Sequence, residues 1–291
     1  MLNAYSWTSV DTITQENNKA YTNYLIHEVG HLFGLSDYYN TKYNLQKNEY
    51  HFQPTGCFDM MDYNIGDHSS FSKYLLNWVS PHVIDKKVNN LTISLKSFES
   101  SGECLLIPSS NYQNSPFGEY LLIEYFTPTG LNRFEGTYSF SDRDGNTGVY
   151  TYPQHHGLRI YHVNASLGYY SYNENSFIGT EYICDAFDPD ALTKIGSRTT
   201  IGLDFIYSNT IADKDIGNGK VLYHLLEASG ENTFKEGKPA SNETLFKLDS
   251  DFGINHFKDY TFSNGDLVNF TLKVNRISLD KIDITISRVN N

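Results

Sequence analysis

The chain has 291 residues, a length that predicts about two domains and a core large enough to be stable without disulfide bonds. Hydrophobic residues make up 39% of the chain and charged residues 19%, with only 8 prolines, which excludes disordered and collagen-like proteins. Acidic residues exceed basic ones by 12, so most of the surface would repel a phosphate backbone, and we expect no nucleic acid as a partner.

The sequence gives little indication of a signal peptide, a transmembrane segment or disulfide bonds. No segment approaches 18 consecutive apolar residues, so no transmembrane segment is predicted. Residues 1–7 lack the basic region and the apolar run of a signal peptide. The three cysteines, Cys57, Cys104 and Cys184, form no CxxC pair, and the sequence leaves open whether any two of them form a disulfide.

Two helices are predicted in the first third of the chain. Over residues 18–35, apolar side chains recur every three or four positions, which indicates the buried stripe of an amphipathic helix that ends at Gly34. The stripe consists of Tyr21, Tyr24, Leu25, Val29, Leu32 and Phe33. A short helix is predicted over residues 70–79, with Ser69 or Ser70 as N-cap and Pro81 as its stop. Its predicted inner face consists of Phe71, Tyr74, Leu75 and Trp78.

The rest of the chain has the period of two that is typical of β-strands. Strands are predicted over residues 91–95, 103–107, 119–126, 148–152, 158–163, 220–227, 267–274 and 281–286. Together with the helices they predict an α+β fold, with a domain boundary near residues 82–88 and a β-sandwich-like region after it.

The segment HEVGHLFGLSD, residues 27–37, carries the strongest chemical signal. His27 and His31 lie four residues apart, and therefore on one face of the predicted helix, where both can bind one zinc ion. Glu28 is then placed to act as general base, taking a proton from a water that zinc has made more acidic and passing it to the leaving amine. This HExxH pattern is a signature of zinc metalloproteases.

A third zinc ligand is predicted just after the helix. Gly34 can adopt a positive φ and turn the chain back toward the metal, which brings Asp37 to the position that a third histidine has in many HExxHxxGxxH enzymes. Glu49 is the alternative, because other zinc peptidases take a Glu from a later helix. Its surroundings show no helical stripe, so we favour Asp37.

The segment FDMMDY, residues 58–63, carries a second signal. Metzincins have a tight turn with a Met beneath the zinc ligands, and in some branches a Tyr two residues later approaches the metal or the oxyanion. Met61 and Tyr63 have this spacing, which predicts Met61 in such a turn and Tyr63 as a second catalytic residue. The alternative is an ordinary apolar turn in which a Met fills a gap.

These segments resemble the immune inhibitor A family of secreted bacterial zinc metallopeptidases, which reads HExGHxLGLPDxYD around the zinc. The resemblance rests on residues 24–39, 58–61 and 74–81, and is looser over residues 119–125, 157–163 and 225–228. It implies a partial metzincin-like catalytic domain in residues 1–85 and a β-sandwich-like accessory region in residues 86–291. It also implies zinc as cofactor, protein or peptide substrates, and an extracellular location.

The chain departs from the family pattern at several positions. Ser36 replaces the usual Pro, Phe58 a common Trp and Asn77 a common Gly. Only 26 residues precede His27, whereas such catalytic domains usually have several strands and a long helix there. We therefore expect an N-terminal segment of the same protein to be missing, residues 2–10 to be an edge strand, and the activity of this chain alone to be weak.

Calcium is a weaker prediction than zinc. The segment DRDGN, residues 142–146, lacks the full ligand ladder and terminal Glu of an EF-hand and is better explained as a hairpin turn. A second acidic group consists of Asp185, Asp188 and Asp190. The remaining histidines are predicted to be structural or to lie at the surface, among them His51, His68, His82, His155 and His156.

Two functions remain open. The first is a zinc endopeptidase. The second is a non-catalytic, β-rich extracellular binding protein, or an inactive protease fragment, that retains the zinc site. The presence of Glu28 favours the first, because a purely structural zinc site does not need a general base.

Overall fold

A computed structural model describes most of the chain. The described residues are 14–15, 19–20, 23–40, 52–62, 66–85, 87–137, 153–171, 176–179, 201–210, 221–253 and 261–289. Within them, strands far outnumber helices and most strand pairs are antiparallel, so the fold is mixed α+β with a large β component. None of the helices in these ranges has the length and apolar character needed to cross a bilayer.

The helices are short. They are α1 (Asn23–Leu32), α2 (Ser70–Leu75) and α3 (Phe98–Ser101), with 3₁₀ turns at Gly130–Thr137 and Thr233–Glu236. Helix α1 is followed by Gly34 at φ 94°, so the predicted break at this glycine is confirmed. The predicted start at residue 18 is wrong, because Lys19–Ala20 pairs as a strand with Thr14–Gln15.

Helix α2 is shorter than predicted. It ends at Leu75, and Asn77 then adopts a left-handed φ of 56°, a conformation that Asn tolerates better than most residues. This explains how Asn can stand where the resembling family commonly has Gly. Trp78 lies beyond the helix and is 52% exposed, so its assignment to the inner face is wrong, whereas Phe71 is fully buried as predicted.

The strands are numbered in chain order from β1 to β14. They are β1 (Thr14–Gln15), β2 (Lys19–Ala20), β3 (His82–Val83), β4 (Asn90–Lys96), β5 (Cys104–Pro108), β6 (Glu119–Phe126), β7 (Gly157–Asn164), β8 (Leu167–Ser171), β9 (Ser176–Gly179), β10 (Ile201–Phe205), β11 (Tyr223–Leu226), β12 (Asp251–Gly253), β13 (Phe270–Ile277) and β14 (Lys281–Arg288). Seven of the eight predicted strands are present, with ends shifted by a few residues. The eighth, residues 148–152, lies outside the described residues.

Two sheets form the body of the fold. A five-stranded sheet has the order β11-β7-β6-β5-β3 and is antiparallel except for the β3–β5 pair. An antiparallel four-stranded sheet has the order β12-β13-β14-β4. Strands β10, β8 and β9 form a smaller antiparallel sheet.

The five-stranded sheet is buried on both faces, and strand β6 shows how. Alternate residues of a strand point to opposite faces. Leu121 and Ile123 belong to an apolar cluster shared with the four-stranded sheet, which is the packing expected of a sandwich. Leu122 and Phe126 belong to a second cluster, which contains side chains from the first 85 residues. The latter are Leu35, Tyr38, Phe52, Phe58, Met61 and Phe71.

The segments that carry the HExxH and Met motifs therefore pack directly on the sheet of the later region. The division of the chain into residues 1–85 and 86–291 stays a prediction, but one continuous apolar cluster crosses this boundary.

Helix α1 is more exposed than an amphipathic stripe predicts. The exposed apolar side chains on it and in its C-terminal turn are Tyr24, Leu25, Ile26, Leu32 and Phe33. On the opposite side, Gly30 is buried. The edge strand predicted over residues 2–10 lies outside the described residues.

Candidate metal centre

Three of the predicted site residues meet at the C-terminal end of helix α1. One ligand atom from each of His27, His31 and Asp37 lies within 4.8 Å of the other two. The Oδ1 atom of Asp37 is 3.0 Å from Nε2 of His27 and 3.2 Å from Nε2 of His31. Within the part of the chain that the structure describes, this is the one cluster of histidine, cysteine and acidic residues with metal-binding spacing.

Main-chain carbonyls orient both histidine rings. The Nδ1 atom of His27 lies 2.9 Å from the carbonyl oxygen of Met60, and the Nδ1 atom of His31 lies 2.8 Å from that of Leu35. A carbonyl can only accept, so each ring carries a proton on Nδ1 and donates it. Metal-binding histidines are usually held in this way, with the second nitrogen free to ligate.

This donor set fits zinc. With Nδ1 protonated, each imidazole is neutral and has a lone pair on Nε2. These two lone pairs and one from the Asp37 carboxylate face each other and repel, unless a cation or an extra proton lies between them. Two histidines and one carboxylate are also the protein ligands of known catalytic zinc sites, which keep a further position open.

The electrostatics of the cluster also favour positive charge. Burial lowers the pKa of His27, but its hydrogen bonds to Asp37 and Met60 and the negative charges of Asp37 and Glu28 outweigh this effect and raise the pKa. Burial raises the pKa of Asp37, but its hydrogen bond to His27 and the charges of both histidines lower it overall.

Glu28 lies beside the ligands without joining them. It follows His27 on helix α1, is half-buried, and its charge is close enough to affect the pKa of His27. The structure therefore places a carboxylate next to the three converging side chains, as the HExxH pattern predicts.

Residues 59–62 form the turn beneath the site. The amide of Asp62 donates to the carbonyl of Asp59 over 2.9 Å, and the Asp59 carboxylate accepts from the amide of Met61 over 2.9 Å. This turn presents the Met60 carbonyl to His27, and its Met61 carbonyl accepts from the amide of Tyr38, next to Asp37. One turn thus supports two of the three candidate ligands.

The Met61 side chain packs against helix α1 between the two histidines. A Cβ atom added at Gly30 would lie 2.5 Å from the sulfur of Met61, closer than any real contact. Met61 is completely buried against this helix, and its assignment to a metzincin-type turn stays a prediction. The packing also explains why a residue without a side chain occupies position 30.

The five-stranded sheet holds the turn from behind. The Tyr223 hydroxyl, on strand β11, donates to the Asp59 carboxylate over 3.1 Å. Beside it, Arg159 on strand β7 forms a fully buried ion pair with Glu124 on strand β6. The other carboxylate oxygen of Glu124 accepts from the amide of Ser70 over 2.8 Å, so a carboxylate from the sheet satisfies the first turn of helix α2.

Several predicted residues are not placed at the site. Tyr63, the predicted second catalytic residue, lies outside the described residues, as do the alternative ligand Glu49 and His51. The same holds for the two acidic groups considered for calcium. They comprise residues 142–146 and Asp185, Asp188 and Asp190.

The other histidines and cysteines have roles outside the site. His156 contacts the Tyr125 hydroxyl, which is a structural environment as predicted. His68 was predicted to be a surface residue or a hydrogen-bonded loop residue, and this is wrong: it is buried near Gly30, and its Nδ1 atom has no hydrogen-bond partner among the described residues. Cys57 and Cys104 are free thiols, and Cys184 is outside the described residues.

The sequence did not indicate the partners that orient the ligands. Tyr39 forms a hydrogen bond with the Asp37 carboxylate. Two signals were available in the sequence: its position two residues after a ligand, and its match to the Tyr of the pattern HExGHxLGLPDxYD. Neither indicates what its hydroxyl contacts. The hydrogen bonds to the carbonyls of Leu35 and Met60 could not be predicted from residue type, because every residue has a main-chain carbonyl.

Comparisons with models of known protein families, with curated proteins and with solved structures found no match to this chain.

Proposed function

We propose that this protein is a zinc-dependent endopeptidase in which His27, His31 and Asp37 hold the metal and Glu28 is the general base. The observation that carries the proposal is the convergence of two Nε2 atoms and one carboxylate oxygen within 4.8 Å, with both Nδ1 protons donated to main-chain carbonyls. Such an arrangement presents lone pairs to a metal and holds them in place before it binds.

The number of ligands favours catalysis over a structural role. Structural zinc sites are closed by four protein ligands, whereas catalytic sites have three and leave a position for water or substrate. Three residues converge here, and the described residues contain no fourth histidine, cysteine or acidic side chain at the cluster. The site is also accessible, since His31 and Asp37 are partly exposed.

The metal and the side chains have different roles in the proposed reaction. Bound zinc supplies Lewis acidity, which polarises a peptide carbonyl and makes water a better nucleophile at neutral pH. Glu28 accepts the proton that water loses and delivers it to the departing amine. His27 and His31 can ligate through Nε2, because each keeps a proton on Nδ1 and donates it to the carbonyl of Met60 or Leu35.

Membership of the immune inhibitor A family, an extracellular location and protein or peptide substrates belong to the same proposal. They rest on the motif residues quoted above and on the agreement between those motifs and the geometry of the centre.

Zinc content and peptide cleavage test the proposal together. The purified chain should contain about one zinc per molecule, and it should cleave casein or a quenched-fluorescence peptide library. A chelator should abolish cleavage and added zinc should restore it. Bound zinc with no cleavage of either substrate would favour the alternative of a binding protein that retains the site. A chain that binds no zinc would contradict both.

A further inference from the structure

Tyr39 contacts two of the three candidate ligands. Its hydroxyl is hydrogen-bonded to the Asp37 carboxylate, and because an ionised carboxylate can only accept, the hydroxyl donates. Its ring lies alongside that of His27, with ring centres 6.4 Å apart and planes inclined by 29°. Tyr39 thus contacts one ligand on the helix and one in the loop that follows it.

The main chain on both sides of Tyr39 is fixed. The amide of Tyr38 donates to Met61 over 2.8 Å, and the carbonyl of Tyr38 accepts from Asn209 over 3.0 Å. On the other side, the amide of Asn40 donates to the side chain of Gln53 over 2.9 Å. Tyr38 and Asn40 are both buried, so the half-buried Tyr39 is held between two anchored residues.

Such an arrangement constrains the carboxylate. Asp37 lies in a loop, and its side chain would otherwise rotate freely about two bonds. The Oδ1 atom of Asp37 must face both Nε2 atoms for the cluster to bind a metal. A hydrogen bond from an anchored hydroxyl favours that rotamer.

We propose that Tyr39 is a positioning residue whose hydroxyl holds the Asp37 carboxylate in its metal-binding orientation. This inference rests on the proposed function, because it gives Tyr39 a role in the same metal centre. This positioning role differs from the catalytic role that the motif spacing predicted for another tyrosine, Tyr63.

Cobalt(II) binding to the metal-free chain tests this role, because its visible absorption bands depend on the ligand geometry. Tyr39→Phe keeps the ring beside His27 and removes only the hydroxyl. We expect it to raise the Kd for cobalt about 10- to 100-fold and to change the absorption bands. The matched control is Tyr125→Phe, because Tyr125 belongs to the cluster shared with the four-stranded sheet and its hydroxyl donates to the carbonyl of Ser278 over 2.6 Å, not to a ligand. This control should keep the Kd and the spectrum of the wild type.

A double-mutant cycle with Asp37→Ala separates positioning from general packing. Once the carboxylate is gone, removing the Tyr39 hydroxyl should have no further effect on the cobalt Kd. If Tyr39→Phe binds cobalt like the wild type, or weakens binding equally in the Asp37→Ala background, the positioning role is overturned while the proposed function stands. If the wild-type chain binds neither cobalt nor zinc, both proposals are overturned.

Discussion

At the residue scale, the centre assigns different tasks to neighbours on one helix. The Nε2 atoms of His27 and His31 face the carboxylate of Asp37, while Glu28 lies beside them and remains outside the cluster. In the proposed function, a carboxylate in this position contributes to proton transfer and little to holding the metal. Metal binding and catalysis should therefore be separable by substitution.

Glu28→Gln is the substitution that separates them. It keeps the shape of the side chain and removes its capacity to accept a proton, so zinc should remain bound while kcat falls by about 10²- to 10⁴-fold. Zinc content by elemental analysis and hydrolysis of a peptide substrate measure the two effects.

Glu103→Gln is the control for this experiment, because Glu103 is paired with Lys96 on the surface, away from the centre. It should change neither zinc content nor rate. Undiminished hydrolysis by Glu28→Gln would show that this glutamate is not the base, and loss of zinc would show that it supports the ligands.

At the element scale, the turn of residues 59–62 joins helix α1, the ligand loop and the five-stranded sheet. Two of its residues, Asp59 and Asp62, are buried acids. Burial raises the pKa of Asp62 to about 7, although a hydrogen bond from the Thr55 hydroxyl opposes the effect. The folded chain therefore holds a proton on Asp62 that the unfolded chain has already lost.

This difference predicts how stability depends on pH. Between about pH 4 and pH 7 the folded state binds more protons at Asp62 than the unfolded state, so this residue makes the free energy of unfolding fall as pH rises, by roughly 1 kcal/mol per pH unit. Asp62→Asn removes the ionisation and keeps the shape. The variant should gain stability relative to the wild type as pH rises through this range.

Urea unfolding of the metal-free chain at intervals from pH 4.5 to pH 7.5 measures this effect. Asp251→Asn, at an exposed position, is the control and should follow the wild-type profile. Parallel profiles for Asp62→Asn and the wild type would mean that Asp62 is ionised in the folded protein at the same pH as in the unfolded chain.

At the scale of the whole molecule, the metal centre depends on the β-sheet behind it. Tyr38, Phe58, Met61 and Phe71 are completely buried in a cluster that the five-stranded sheet completes. Each such side chain contributes about 1.5–3 kcal/mol when fully buried, and the four together are comparable to the 5–15 kcal/mol of a typical domain's stability.

Residues 1–85 alone should therefore not fold cooperatively, although the sequence predicted a domain boundary at their end. We expect this fragment to show no sigmoidal urea transition by circular dichroism and to bind zinc much more weakly than the full chain, which serves as the control. Cooperative unfolding of the fragment, with zinc affinity equal to that of the full chain, would show that the first 85 residues form an independent domain.

Local spacing predicted the parts of the centre that are local. The four-residue interval between His27 and His31 places both on one helix face, and the positive φ of Gly34 allows the chain to return and bring Asp37 to them. Seven of the fourteen strands in the described residues were also predicted, whereas β1–β3, β8–β10 and β12 were not. Local spacing failed at the start of helix α1, where pairing between two short strands overrides a helical pattern.

The sequence by itself thus determined a β-rich body and the three side chains that cluster, His27, His31 and Asp37; the roles of ligand and base stay predictions. Only the tertiary structure decided what holds them in place. The carbonyl that orients His27 comes from 33 residues away, and the hydroxyl that supports Asp59 comes from 164 residues away. Such contacts depend on the packing of the sheet against the turn, so they cannot be predicted from a pattern of residues that are neighbours along the chain.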